Sequence, residues 1–306
     1  MDLAYKKKLE SQKYYFIGNH SAIKTCTWKK KSLQNQGVCY KQKFYGINTH
    51  LCCQMSVAMN FCDQDCIFCW REHKNFPFDK IDNPKEILNK VPQAERMLIS
   101  GLGGSKDVNK EKFSKAYNPI HFAISLTGES IYYPKLNELI KEIHKKNGTT
   151  FLVTNGQAPF LLKKLIPPTQ LYISLAANSE KMFNKICKPL RKNGWQLLLK
   201  TLSLLKTLKT RTTIRLTLIK NINMSEPEKY AKILEEASPK FIEVKAYMRV
   251  GASRKKLDKE NMPLHTEVKE FSKLICKYSS YKIIDEQKES RVILLMKEEK
   301  DRFLKI

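Results

Sequence analysis

Seven of the nine cysteines lie between residues 26 and 69, and six of them fall into two trios. Cys62, Cys66 and Cys69 form a tight C-x3-C-x2-C loop, whereas Cys26, Cys39 and Cys52 have twelve residues between neighbours. Three thiolates without an evident fourth ligand suit a cubane iron–sulfur cluster held through three of its irons. The fourth iron then stays open for a ligand that is not protein, and open positions are where metal chemistry happens. Two trios would give two reactive irons. Structural zinc is the alternative, with His50 or His73 completing a set, although zinc sites more often pair two C-x-x-C units or cysteines with histidines. Cys53, Cys187 and Cys276 belong to neither trio and read as packed free thiols.

A secreted disulfide scaffold does not fit 306 residues, an odd cysteine count and an N-terminus without an apolar signal core. No stretch reaches membrane-span length. The expectation is a cytoplasmic protein of reducing surroundings, not membrane-bound and monomeric. At 42% hydrophobic the chain can bury a large core. Its formal net charge of +26 argues for a polyanionic partner such as nucleic acid. Lysines supply 47 of the 56 basic residues, spread along the chain in short runs, so the charge alone marks no single surface.

The elements that must position the thiols read as repeated strand and helix. Apolar runs at 96–100, 121–126, 151–153, 171–173, 212–219 and 241–247 read as buried strands, and segments 134–146, 195–208, 227–237 and 266–277 read as helices. This is the α/β pattern of a partial or full TIM-like (β/α) barrel with a cysteine-rich N-terminal extension. Residues 1–50 would form the extension and carry most of the second iron–sulfur site, and 51–306 the barrel core with C-terminal elements. Glycine and polar residues follow the strands, at Gly101–Gly104, Thr127–Glu129, Asn155–Gly156 and Ser174, where barrel active sites lie.

The compact cysteine loop followed by β/α repeats resembles the radical S-adenosylmethionine (SAM) superfamily. The segments around Cys26-Thr27-Trp28, Gly37-Val38-Cys39-Tyr40-Lys41, Phe44-Tyr45-Gly46, Cys69-Trp70-Arg71, Arg215-Leu216-Thr217-Leu218 and Glu260-Asn261-Met262-Pro263 resemble the tRNA 4-demethylwyosine synthases, from about residue 14 onward. The resemblance implies a lyase of tRNA processing that joins N1-methylguanosine 37 of phenylalanine tRNA to carbons 2 and 3 of pyruvate. It implies two 4Fe-4S clusters: one on Cys62, Cys66 and Cys69 that binds SAM and yields a 5′-deoxyadenosyl radical, and one on Cys26, Cys39 and Cys52 that presents pyruvate. Lys41 stands where the family places a pyruvate contact. Thr127, Gly128 and Glu129 match the SAM-binding Gly-Gly-Glu segment, with Asn155, Ser174 and Arg215 as further SAM contacts.

The form resembles the archaeal enzymes, and electrons are expected from an external flavoprotein or ferredoxin. Candidate tRNA contacts are Lys29, Lys30, Lys31, Arg254, Lys255 and Lys256. Four positions depart from the family pattern. No acidic residue stands near Ala176, Cys187 replaces one, Ser130 replaces a proline, and Cys53 beside Cys52 could exchange roles with it. Other readings keep the compact trio but change the substrate to another tRNA or a small molecule, or take the chain as a zinc-stabilised RNA-binding protein.

Overall fold

The computed structural model describes residues 3–72 and 74–305, and the chain divides into two compact units. The zinc expectation on His73 lies outside the described residues.

Unit 1 takes in residues 1–62 and 73–153. Helix α1 (Leu3–Ser11) lays Tyr5 and Leu9 into an apolar cluster with Tyr14, Ala22, Met59 and Leu126. A short antiparallel pair, β1 (Tyr15–Phe16) and β2 (Ala22–Ile23), runs onto β3 (Cys52–Ser56). Helices α2 (Thr27–Leu33) and α3 (Tyr40–Tyr45) fill the interval between β2 and β3. Strands β4 (His121–Ile124) and β5 (Thr149–Thr154) continue the sheet in parallel, with Cys52 opposite His121 and His121 opposite Thr149. Crossovers between parallel strands are carried by α4 (Pro84–Ile99), α5 (Lys110–Lys115) and α6 (Leu136–Lys145).

The expected strand at 96–100 is not a strand. Residues 96–99 form the last turn of α4, which starts at an Asn83 cap with proline at its first position. Ile99 closes a cluster with Leu33 and Ala116, so the apolar run is the buried end of a helix face. Gly101–Gly104 therefore follows a helix and is no strand-end loop.

Unit 2 takes in residues 63–72 and 154–305. Strands β6 (Gln170–Leu175), β7 (Arg211–Leu218) and β8 (Phe241–Ala246) are parallel, and β9 (Lys282–Gln287) and β10 (Val292–Met296) close the edge antiparallel in the order β6-β7-β8-β10-β9. All five residues of β10 are buried, the pattern of a strand covered on both faces. The helices are α7 (Pro159–Leu162), α8 (Glu180–Cys187), α9 (Gly194–Leu204), α10 (Pro227–Ala237) and α11 (His265–Lys277). The strands expected at 121–126, 151–153, 171–173, 212–219 and 241–247 all form.

Candidate active site

The spread trio is assembled in unit 1 by element ends. Cys26 is the N-cap of α2 and its sulfur accepts the Lys29 N–H at 3.4 Å; Cys39 is the N-cap of α3. Cys52 is the first residue of β3. Cys39 is held through its N–H, which donates to Thr49 Oγ1 at 3.0 Å, and that hydroxyl donates in turn to Gln42 Oε1 at 2.8 Å. Burial, and then the neighbouring Cys26, push the Cys52 thiol up to about 12; Cys39 adds to this, while Lys41 and Lys29 oppose it. A thiol that resists ionising in a bare protein is one that a bound metal cation would ionise, releasing the proton. All nine cysteines are free thiols.

Lys41 lies in the same neighbourhood. It is 7% exposed, and its ammonium sits 4.7 Å from the centre of the Phe151 ring. Strand alternation sends Cys52, His121, Thr149 and Phe151 to one face of the sheet. His121 was not singled out by the sequence. Its Nε2 accepts the Asn48 N–H at 3.2 Å and its Nδ1 meets Thr149 Oγ1 at 2.7 Å, while burial, with His50 and Lys41 adding to it, lowers its pKa to about 4. The ring is thus neutral and fixes the chain just before Thr49.

Lys29, expected as a tRNA contact, is instead 1% exposed. Its ammonium pairs with Glu95 of α4 at 2.8 Å and donates to Ala116 O at 3.2 Å. A helix–helix ion pair takes it out of reach of a polyanion. Cys53 is fully buried, with Glu95 beside it.

The SAM-binding segment expected after β4 is also built in unit 1. Gly128 has φ +70° and lies in a bridge with Ala58, so close to the Ala58 carbonyl that no Cβ fits. The Glu129 N–H donates to Phe61 O at 2.7 Å, which ties the segment to the residue before Cys62. Glu129 is 4% exposed and caps the following turn, where Ser130 starts Ser130–Tyr132. Thr127 accepts the Ser56 hydroxyl at its carbonyl, while its own Oγ1 is buried with no partner, the kind of group a bound ligand satisfies.

In unit 2 the cysteine loop is held like an added strand. Asp65 and Ile67 N–H donate to Lys188 and Ile186 carbonyls at 3.2 and 2.9 Å, and Leu190 N–H donates to Asp63 O at 2.9 Å. This register brings Cys66 against Cys187, the departure noted in the sequence, and the contact with Cys187 is the first cause raising the Cys66 thiol. Burial, with Cys66 nearby, raises Cys69 to about 11. Asn155 donates to Asp63 Oδ1 at 2.7 Å. Ser174 and Arg215 are register neighbours on β6 and β7, but the Arg215 guanidinium is 3.0 Å from buried Glu243 on β8. Asn178, after β6, has a buried Oδ1 without a partner and is a candidate the sequence reading passed over.

Among the described residues no three Cys, His, Asp or Glu side chains gather as ligands of a single ion. A cubane asks for something else, since its three sulfurs sit on separate irons. The half-buried sulfurs of Cys26, Cys39 and Cys52, soft donors drawn together in unit 1, fit that group.

The radical SAM superfamily pattern matches residues 56–234, and a wyosine base formation pattern matches 236–297. An S-adenosyl-L-methionine-dependent tRNA 4-demethylwyosine synthase of Pyrococcus horikoshii is 44% identical across 95% of this chain and 87% of its own. The chain belongs to the tRNA 4-demethylwyosine synthase family. It is an enzyme of that radical SAM type, and its α/β fold is the partial TIM-like barrel class of the superfamily. Two solved structures agree in fold. One, described as TYW1 with a lysine-pyruvate adduct bound, has a TM-score of 0.88 and 39% identity over 99% of this chain and 98% of that one. The other, an archaeal TYW1, has a TM-score of 0.83 and 36% identity over 99% and 100%. Among the described residues no helix is long and apolar enough to cross a membrane.

Proposed function

We propose that this chain condenses N1-methylguanosine 37 of phenylalanine tRNA with carbons 2 and 3 of pyruvate, giving 4-demethylwyosine. The observation that carries the reading is Lys41, buried over Phe151 near Cys52 and His121 in a chain so like one that holds a lysine-pyruvate adduct. Two 4Fe-4S clusters are part of the proposal. Cys62, Cys66 and Cys69 would hold the one that binds SAM, and Cys26, Cys39 and Cys52 the second, with residues 1–50 supplying two of its thiols. When bound and reduced, the first supplies one-electron cleavage of SAM to a carbon radical.

The protein's own residues do the rest. Lys41 Nζ attacks the pyruvate ketone and loses water to form an imine, a reaction that suits a lysine withdrawn from solvent. Neutral His121 braces Asn48, and Thr49 beside it braces Cys39, so the wall around Lys41 is rigid. Gly128 and Glu129 carry the SAM amino group, with Thr127 Oγ1 as a further donor or acceptor. Asn155 orients Asp63 in the cysteine loop. Ser174 and Arg215 belong to the same proposal, Arg215 reaching SAM only if it is shared with Glu243. The reductant is an external flavoprotein or ferredoxin, the compartment the cytoplasm, and the working form a monomer.

The test is borohydride trapping with pyruvate followed by peptide mass analysis. A reduced pyruvate adduct on the Lys41 peptide is expected, absent in Lys41→Arg. Nucleoside analysis of tRNA incubated with reconstituted enzyme, SAM and pyruvate must show the tricyclic base. An adduct on another lysine, or none, removes Lys41 from the reaction.

A further inference from the structure

Beside the cysteine loop, unit 2 exposes a large part of an aromatic ring. Trp70 follows Cys69 directly and is 41% exposed, although tryptophan is a side chain that folding normally buries. Its backbone is fixed. The Ala252 N–H donates to Trp70 O at 3.0 Å, and Gly251, at φ +57°, approaches that carbonyl so closely that a Cβ has no room. One face of the indole is covered by the Arg71 guanidinium, 3.0 Å from the ring centre, and Arg71 is itself buried.

The loop docked on Trp70 adds two more exposed apolar side chains, Met248 and Val250, and the cations Arg249, Arg254, Lys255 and Lys256. Three carboxylates answer those four cations: Asp258 lies 4.0 Å from Arg249, Glu72 3.3 Å from Lys255, and Asp65 2.6 Å from Lys256. Among the described residues the Arg254 side chain bonds a backbone carbonyl, that of Arg249, and no carboxylate. A part-exposed indole beside a basic segment, on a chain of net charge +26, is complementary to unpaired nucleotides. It is a poor match for a sugar or a small acid, which would need convergent polar groups in a cleft.

We infer that Trp70 is the stacking platform for an unpaired base of the RNA substrate, with Arg254 and the Met248–Val250 segment flanking it. The inference rests on the reading that RNA is the substrate and deepens it. A base laid on Trp70 is held one residue from Cys69, so the platform sets which nucleotide of a loop is delivered to the SAM site. The rigid Gly251–Trp70 contact gives the platform its fixed height.

The experiment measures affinity of the reconstituted enzyme for an anticodon stem-loop RNA carrying N1-methylguanosine, by anisotropy at two salt concentrations, in wild type, Trp70→Ala, Trp70→Phe, Val250→Asp and Arg254→Ala. Trp70→Ala is expected to weaken binding about 5- to 150-fold, the range for one lost base stack, and Trp70→Phe to stay within about threefold of wild type. Val250→Asp lies outside the cysteine loop and is expected to weaken binding even if Trp70→Ala disturbs iron loading. Arg254→Ala should lower the salt slope by about one. Wild-type affinity in both Trp70→Ala and Val250→Asp overturns the platform while leaving the function intact, provided wild type still makes product. No RNA binding by wild type itself removes the RNA-substrate reading as well. Intact RNA affinity with slower reduction by a flavodoxin-type donor also overturns it, assigning the patch to a protein partner.

Discussion

Lys29 and Lys41 are two among 47 lysines, and the fold buries both. One ends on a carboxylate, the other over an aromatic ring beside thiols and a neutral histidine. Nothing local in the sequence separates them, because the partners lie far along the chain: Glu95 for Lys29, Phe151 for Lys41. The resemblance is what singles out Lys41, while the basic runs suggested a surface position for Lys29, which is buried. A buried pair stabilises little as a whole, yet halving it strands a charge. Lys29→Met should therefore cost about 3–5 kcal/mol of stability, and the double change Lys29→Met with Glu95→Met should recover most of it. Urea denaturation of the three proteins checks this; equal losses in single and double variants would mean that volume, and not charge, decides.

Strand β3 organises the element scale. Cys52 is its first residue and Cys62 follows its last by six, so those two thiols, one from each trio, are separated along the chain by roughly 13 Å of strand. That separation favours distinct roles. Cys39→Ala is expected to abolish demethylwyosine formation and leave reductive SAM cleavage measurable by 5′-deoxyadenosine release; loss of both would merge the roles. At the other parallel strand end, Gly128→Ala meets both a disfavoured φ and the Ala58 carbonyl. It should lower the melting temperature and weaken SAM binding, measured calorimetrically, whereas Ser130→Pro should leave both close to wild type if Ser130 only starts a turn.

The elements legible in the sequence were those with buried apolar runs between polar loops, β4 to β8. Missed ones had mixed signals. β3 was hidden inside the cysteine block, and 96–100 looked like a strand because the last turn of an amphipathic helix is apolar over the same length. The grouping of the cysteines into trios was visible from spacing; His121, the Asn155–Asp63 bond and the strand-like docking of the cysteine loop were not, since each is a tertiary contact.

At the scale of the molecule, acid should loosen unit 1. His20 donates from Nδ1 to Val57 O at 2.7 Å and accepts the Asp82 N–H at Nε2, so like His121 it is held neutral, and burial lowers its pKa. A histidine bound less well to its proton in the fold than in the unfolded chain contributes its stability in full above about 6.5. That contribution fades as pH falls toward 4, the folded value of His121. Burial alone would raise the Asp82 pKa, but the N–H groups of Asn19 and His20 outweigh it and hold it low, so Asp82 adds a further loss at still lower pH. Unfolding free energy should fall between pH 6.5 and 4.5 by up to about 1.4 kcal/mol per pH unit for each histidine. His121→Gln should reduce that slope, and an unchanged slope would place the proton uptake elsewhere.

The spacing of the cysteines has a consequence for assembly. From Cys26 to Cys52 the chain runs 27 residues and passes through two helices, while Cys62 to Cys69 spans only 8. A ligand bridging ends that far apart removes more freedom from the unfolded chain, by about 1 kcal/mol on loop-closure grounds. Iron bound at the first trio would thus act as a clasp for the N-terminal third, whereas iron at the second would tighten a loop already laced to its neighbour. Limited proteolysis should register the difference, with cleavage in 24–50 strongly slowed by reconstitution and cleavage in 63–72 little changed.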